Sequence, residues 1–208
     1  MLLLLTNDDD DGKMRIPYNW MTFIDGENLT TRGQELAKQQ GLELEAGEFF
    51  ERDVFVWFPQ HRGWSHAVLE SPEQTSLVYR SLRSHYYTSL SGDDVKIANT
   101  CERLWDLGFE PRVFKRGKER AVKGLDIALA RDMLSHAFRD NYDVAVLFGG
   151  DGDYVPLVHE VKRLGKLFYV AFFDDGTLSR ELKLAADRFI DLRGMLTQAW
   201  TLRPIPQS

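Results

Sequence analysis

The chain has 208 residues, 43% of them hydrophobic and 28% charged, the balance of an ordinary globular domain with ample material for a core. A formal net charge of -6 excludes a protein that is basic all over, so any hold on nucleic acid has to be local. The lone cysteine, Cys101, excludes an intrachain disulfide and a cysteine-built zinc site, and suits a reducing cytoplasm.

Leu2 to Leu5 form an apolar run too short to cross a membrane, with no basic stretch before it. Residues 1–16 read as a leader, 17–195 as one domain, and 196–208 as a tail whose Arg203-Pro204-Ile205-Pro206 continues no helix. Trp20 to Ile24 is the first strand. A helical stretch around Gly33 to Gln40 follows, then an aromatic-rich insertion at about residues 45–75. Ser76 to Arg83 reads as a helix or the approach to a strand, and His85 to Thr88 as the second strand. Asp94 to Leu107 carries apolar residues near the helical period, with a cap at Asp93 or Asp94 and a stop at Gly108. Cys101 in this pattern reads as buried packing.

Pro111 to Phe114 is the third strand. Leu125 to Phe138 is a helix expected to turn Ile127, Ala130, Met133, Leu134, Ala137 and Phe138 to one face. Tyr142 to Phe148 is the fourth strand, unbroken in its apolar character from Val144, as a strand covered on both faces is. Val155 to Leu164 is a helix ending at Gly165, Leu167 to Phe173 the fifth strand, and Thr177 to Ala186 a last helix. A strand or helix starts at Phe189. Strands spaced by helices predict an α/β fold with a mainly parallel sheet of βαβ units.

Acidic residues stand at the ends of these elements. Asp25 closes the first strand, and Gly149-Gly150-Asp151-Gly152-Asp153 follows the fourth. In a parallel α/β sheet such strand ends converge on one crevice. Asp126 opens the helix after Lys123-Gly124-Leu125 and steps onto the stripe of Ala130, Met133 and Ala137, so it is expected to continue the buried face. Asp132 falls on the opposite side and reads as solvated. Crowded carboxylates repel each other and are costly to desolvate, for which a cation is the natural remedy. The plainer roles are local: Asp126 and Asp153 as helix N-caps, and Asp25 in an Asx-turn.

In these segments the chain resembles the NYN domain family, PIN-like nuclease relatives that include LabA-like proteins. The residues that carry the resemblance are Phe23-Ile24-Asp25-Gly26-Glu27-Asn28, Tyr86-Tyr87-Thr88, Pro111 to Lys115, Lys123 to Leu129, and Gly149 to Tyr154. The resemblance implies a PIN-like, Rossmannoid three-layer sandwich whose sheet of about five strands runs 3-2-1-4-5, with helices on both faces. Strands one and four are then neighbours, so Asp25 and Asp151 meet where the strand order reverses. It further implies a metal-dependent ribonuclease in which Asp25, Asp126, Asp151 and Asp153 bind Mg²⁺ or Mn²⁺. Asn28, Thr88, Arg116 and Lys123 are the expected substrate contacts, and RNA, single-stranded and ahead of DNA, the expected partner. Hard oxygen ligands favour those ions over zinc.

Residues 112–123 hold Arg112, Lys115, Arg116, Lys118, Arg120 and Lys123 against one acid, Glu119. Such a run is commonly a solvated loop, but its entry into the helix bearing Asp126 suits a grip on phosphates. Phe49, Phe50, Phe55, Trp57, Phe58 and Trp64 form an aromatic cluster, for which packing or a homodimer contact ranks ahead of base stacking. Val54, Val56 and Phe58 alternating with Phe55 and Trp57 suggest an added strand or hairpin. No histidine stands beside the acidic segments, so a packing or surface role is expected for all five. No G-x-G-x-x-G follows the first strand, which excludes a dinucleotide site of that type. A non-catalytic RNA-binding module is the alternative function.

Overall fold

The computed structural model describes residues 18–41, 50–51, 54–55, 79–116 and 124–194. The first strand is β1 (Tyr18–Asp25), followed at once by helix α1 (Gly26–Gln39). Two two-residue strands, β2 (Phe50–Glu51) and β3 (Val54–Phe55), pair antiparallel as a small hairpin, with Val54 buried. Then come β4 (Tyr79–Leu90), α2 (Asp94–Asp106) and β5 (Glu110–Lys115). The second half holds α3 (Leu125–Phe138), β6 (Val144–Phe148), a 3₁₀ turn at Gly152–Tyr154 and α4 (Val155–Arg163). It closes with β7 (Leu167–Phe172), α5 (Arg180–Ala185) and β8 (Arg188–Asp191).

The main sheet has six strands in the order β5-β4-β1-β6-β7-β8, and every neighbouring pair is parallel. The expected 3-2-1-4-5 order is therefore present, extended by β8 as a sixth strand. β6 sits at the centre with all five residues fully buried, which is why its sequence is continuously apolar. Alternation along β4 divides the layers. Tyr86 reaches Gly26 and Thr30 of α1 on one face, while the Tyr87 hydroxyl reaches Asp132 of α3 on the other.

Several boundaries move from the sequence reading for local reasons. α1 begins at Gly26 rather than near Gly33, because the Asp25 side chain caps it by accepting from the Asn28 N–H at 3.0 Å, and Glu27 supports the first turn. β4 reaches back to Tyr79, which lies opposite Tyr18 at the start of β1. α2 is capped by Asp93 and ends as anticipated: Gly108 takes φ 86°, and Phe109 and Gly108 donate to Leu104 and Trp105 carbonyls in a Schellman closure. Cys101 on α2 is half-buried rather than buried.

The larger correction concerns α3. Its buried residues are Leu125, Ala128, Leu129, Met133 and Ala137, whereas Ile127 and Phe138 are 69% and 81% exposed. The helix is thus rotated from the face expected of it. That setting takes Asp126 off the buried side and brings Asp132 half-way in.

Candidate active site at the carboxyl end of the sheet

Parallel strands bring their carboxyl ends to one rim, and register decides which side chains meet there. Ile24 lies opposite Phe148, and Asp25 opposite Tyr87, itself opposite Arg112. Asp25 is 5% exposed. Its Oδ1 accepts the Asn28 N–H, and its Oδ2 lies 3.0 Å from the Tyr154 hydroxyl. The same hydroxyl lies 3.0 Å from Oδ1 of Asp126, in the first turn of α3. One phenol thus joins carboxylates that are about a hundred residues apart in sequence.

Burial raises the Asp25 carboxyl to about 6. The Asn28 N–H and Tyr154 hydroxyl counter part of that, and the negative charges of Asp126 and Glu27 add to it. Against two carboxylates, deprotonating the phenol of Tyr154 is more costly still: burial first, then those charges, push its pKa far up, so it stays a neutral donor. Among the described residues, no lysine or arginine pairs with Asp25, Asp126, Asp151 or Asp153.

Asp151 follows β6 and caps the 3₁₀ turn, its Oδ1 accepting from the Asp153 N–H at 3.0 Å. Both Asp151 and Asp153 are exposed. Of the four aspartates, Asp25 and Asp151 are caps, while Asp126 and Asp153 are not; α3 starts after Gly124 with no side-chain cap. Close approach requires glycine at Gly150, whereas at Gly149 a Cβ would make only ordinary contacts. A Cβ on Gly150 would lie 2.4 Å from the Phe172 ring, and one on Gly149 3.5 Å from Asp25 Cβ. On the other side, a Cβ on Gly26 would lie 2.6 Å from the Tyr87 carbonyl oxygen.

The expected substrate contacts differ in their surroundings. Asn28 keeps its Oδ1 buried and without a hydrogen-bond partner. Arg116, just past β5, is fastened: Nη2 donates to Glu27 Oε1 at 2.8 Å and to the Ser89 carbonyl at 3.1 Å, and Nε to Ser89 Oγ at 3.0 Å. Ser89 also donates to Glu27. Thr88 is fully buried within β4 and does not present its hydroxyl at the surface. Lys123, Lys118 and Arg120, and the aromatic cluster other than Phe50 and Phe55, lie outside the described residues.

Asp132, expected in solvent, instead sits in an ion-pair cluster. Its Oδ2 accepts from the Tyr87 hydroxyl at 3.1 Å and from Arg112 Nε at 3.4 Å, and its Oδ1 from Arg131 at 2.8 and 3.0 Å. Burial pushes this carboxyl up, but hydrogen bonds from Arg131, Tyr87 and Arg112 outweigh it, and the net direction is down. His85, next to it on β4, is 1% exposed and stacks on Phe23 with centroids 5.3 Å apart. Burial lowers its pKa to about 4. It packs, as expected, and stands apart from the four aspartates in its contacts.

The donors at the rim, among the described residues, suit a hard divalent cation: carboxylate oxygens, an unpartnered buried amide oxygen, and a buried acid lacking a counter-charge. Among the described residues, no three His, Cys, Asp or Glu side chains form a ready-made cage for an ion. Asp25 and Asp126 form a pair, which is the protein share usual for Mg²⁺, an ion that keeps waters and substrate phosphates as its other ligands. Missed in the sequence was Tyr154 as a separate participant; its only signal was a hydroxyl-bearing aromatic directly after Asp153.

The fold is similar to the crystal structure of a protein of unknown function from Vibrio parahaemolyticus, with a TM-score of 0.58 at 20% identity over 85% of this chain and 93% of that one. In sequence the chain is similar to the Low amplitude and bright protein LabA of Synechococcus elongatus, 40% identical over 68 residues. That match covers 33% of this chain and 35% of the relative, about a third of its length. The NYN domain model matches residues 19–193, nearly the whole chain. The acidic rim on a 3-2-1-4-5-6 parallel sheet thus has a family context: the chain belongs to the NYN domain family, within the PIN-like nuclease superfamily.

Proposed function

We propose that the protein is a Mg²⁺- or Mn²⁺-dependent endoribonuclease working at the carboxyl rim of its sheet. The observation that carries this reading is the meeting of Asp25 and Asp126 over one hydroxyl, with no arginine or lysine among the described residues to balance them. A bound divalent ion supplies water activation and neutralises charge on the phosphodiester during displacement. Asp25 and Asp126 would hold it, with Asp151 and Asp153 from the neighbouring turn. Asn28 offers its amide oxygen beside Asp25.

Glu27 and Ser89 engage Nε and Nη2 of Arg116 and leave Nη1 for a phosphate oxygen. The guanidinium is then placed before substrate arrives, which lowers the ordering cost of binding. Lys123 is proposed as a second phosphate contact. The preference for RNA rests on the superfamily. No helix among the described residues is long and apolar enough to cross a membrane, and a reducing cytoplasm is the proposed compartment on the ground of the single Cys101.

The test is cleavage of labelled single-stranded RNA with Mn²⁺, with and without chelator. Cleavage that chelator stops and Asp25→Asn or Asp151→Asn removes supports the assignment; cleavage that survives both substitutions overturns it. The pair of carboxylates, in place of a three-sided cage, also favours a second reading as an RNA-binding module without turnover. Binding of the same RNA by intact protein, unchanged by chelator and without products, selects that reading.

A further inference from the structure

Tyr154 is the feature that neither strand ends nor acidic residues explain. It is 4% exposed, directly after the 3₁₀ turn's Asp153, yet its hydroxyl crosses to carboxylates from β1 and α3. A phenol carries one proton. With carboxylate oxygens of Asp25 and Asp126 both at 3.0 Å, it shares that proton between two acceptors in a three-centre bond. Asp126 has no other partner among the described residues, although it is exposed and free to take other rotamers. Asp25, in contrast, is already fixed by its cap to Asn28. The phenol is therefore what keeps Asp126 turned toward Asp25.

We infer that Tyr154 is a positioning residue, which sets the spacing of Asp25 and Asp126 for a divalent ion while contacting neither substrate nor the reacting atoms. This inference rests on the metal-site reading above. An outer partner of this kind orients ligating oxygens, and its loss typically weakens metal binding about 10–100-fold. The opposite role is also definable: if the phenol occupied the ion's own place, its removal would tighten binding.

The experiment is titration of Mn²⁺ by electron paramagnetic resonance into the full chain, its Tyr154→Phe and Asp126→Asn variants, and the double variant. Phenylalanine keeps the ring in place and removes the hydroxyl alone. The expected result is a Kd about 10–100-fold weaker in Tyr154→Phe. In the Asp126→Asn background the same substitution should have little further effect, because the bridge then has nothing to hold. An unchanged or lower Kd in Tyr154→Phe overturns the inference while leaving the metal site standing. Equal losses in both backgrounds, the mark of a merely structural role, overturn it as well. Failure of the wild-type chain to bind Mn²⁺ removes both the site and the inference.

If Tyr154→Phe does not fold, as judged by circular dichroism, the wild-type chain carrying ring-¹³C tyrosine takes its place. Mn²⁺ should broaden one tyrosine signal well beyond the others, and Asp25→Asn should abolish the difference. Uniform broadening counts against the inference.

Discussion

Asp25 and Asp132 are two carboxylates on the same face of one sheet, each facing a tyrosine hydroxyl, and they are treated in opposite ways. Asp132 accepts from Tyr87 and is closed off by Arg112 and Arg131, so its pKa falls. Asp25 faces Tyr154 but among the described residues meets another acid, Asp126, and no base, and its pKa rises to about 6. A hydroxyl satisfies lone pairs without balancing charge; a guanidinium does both. The Asp132 cluster is complete within the protein, whereas the Asp25 pair still has charge to offer a ligand. Carboxylates mark function by the cations they lack.

The sharpest way to break this contrast is activity. Asp25→Asn is expected to reduce Mn²⁺-dependent RNA cleavage by at least about 100-fold, the upper end of what losing even an outer partner does. Asp132→Asn should stay within a few-fold of wild type in the same assay. Equal losses would mean that the ion pairs of Asp132 belong to the chemistry.

The next largest effect is on the pH dependence of metal-free stability. Asp25 is raised from 3.8 to about 6, so its contribution is present below pH 3.8 and lost as pH rises through about 6. His85 is lowered from 6.5 to about 4, so its contribution is present above pH 6.5 and lost as pH falls through 4. The two slopes oppose each other, each worth about 3 kcal/mol at most. Urea melts between pH 4 and 6.5 should therefore be nearly flat for these groups in the wild-type chain. They should rise with pH in Asp25→Asn and fall with pH in His85→Phe.

At pH 8 without metal the same logic separates the two aspartates. Asp132→Ala leaves Tyr87 and two guanidinium groups short of an acceptor, and urea denaturation should register a loss of about 2 kcal/mol. Asp25→Asn keeps a capping side chain and deletes a buried, unbalanced charge, so stability should rise by about 1–3 kcal/mol. The smallest effect tests the rotation of α3 that sets Asp126 and Asp132 in their places. Ile127→Ser should change stability by no more than about 0.5 kcal/mol, as at other exposed positions. A loss near the 2–5 kcal/mol of a core truncation would restore the face expected from the apolar pattern.

Much of this was legible beforehand. The continuous apolar run of β6, the carboxylates after β1 and β6 and the glycine stops of α2 and α4 are local signals that place the elements of a parallel α/β sheet, while the strand order came with the resemblance to the NYN domain family. The face of α3 was not legible, because Leu125, Ile127, Ala128, Leu129, Met133, Leu134, Ala137 and Phe138 surround the helix and leave its phase open. Once that phase is mistaken, Asp126 and Asp132 exchange environments. The partners of Asp132 sit on β4 and β5, and those of Tyr154 on β1 and α3, so only tertiary register reveals them. The caps were misassigned for a related reason: Asp25 and Asp126 both precede or begin a helix, and propensity alone does not say which one bonds the first turn.

The pairing of Tyr79 with Tyr18 has an engineering corollary. α1 runs back from Asp25, so the chain departs at Gly41 and rejoins at Tyr79 along the amino-terminal margin of the sheet. Residues 117–123 instead join the carboxyl-terminal tip of β5 to the start of α3, beside Asp126. A fluorescent cargo spliced after Gly41, whose left-handed backbone faces open space, is thus tethered on the side away from the acids.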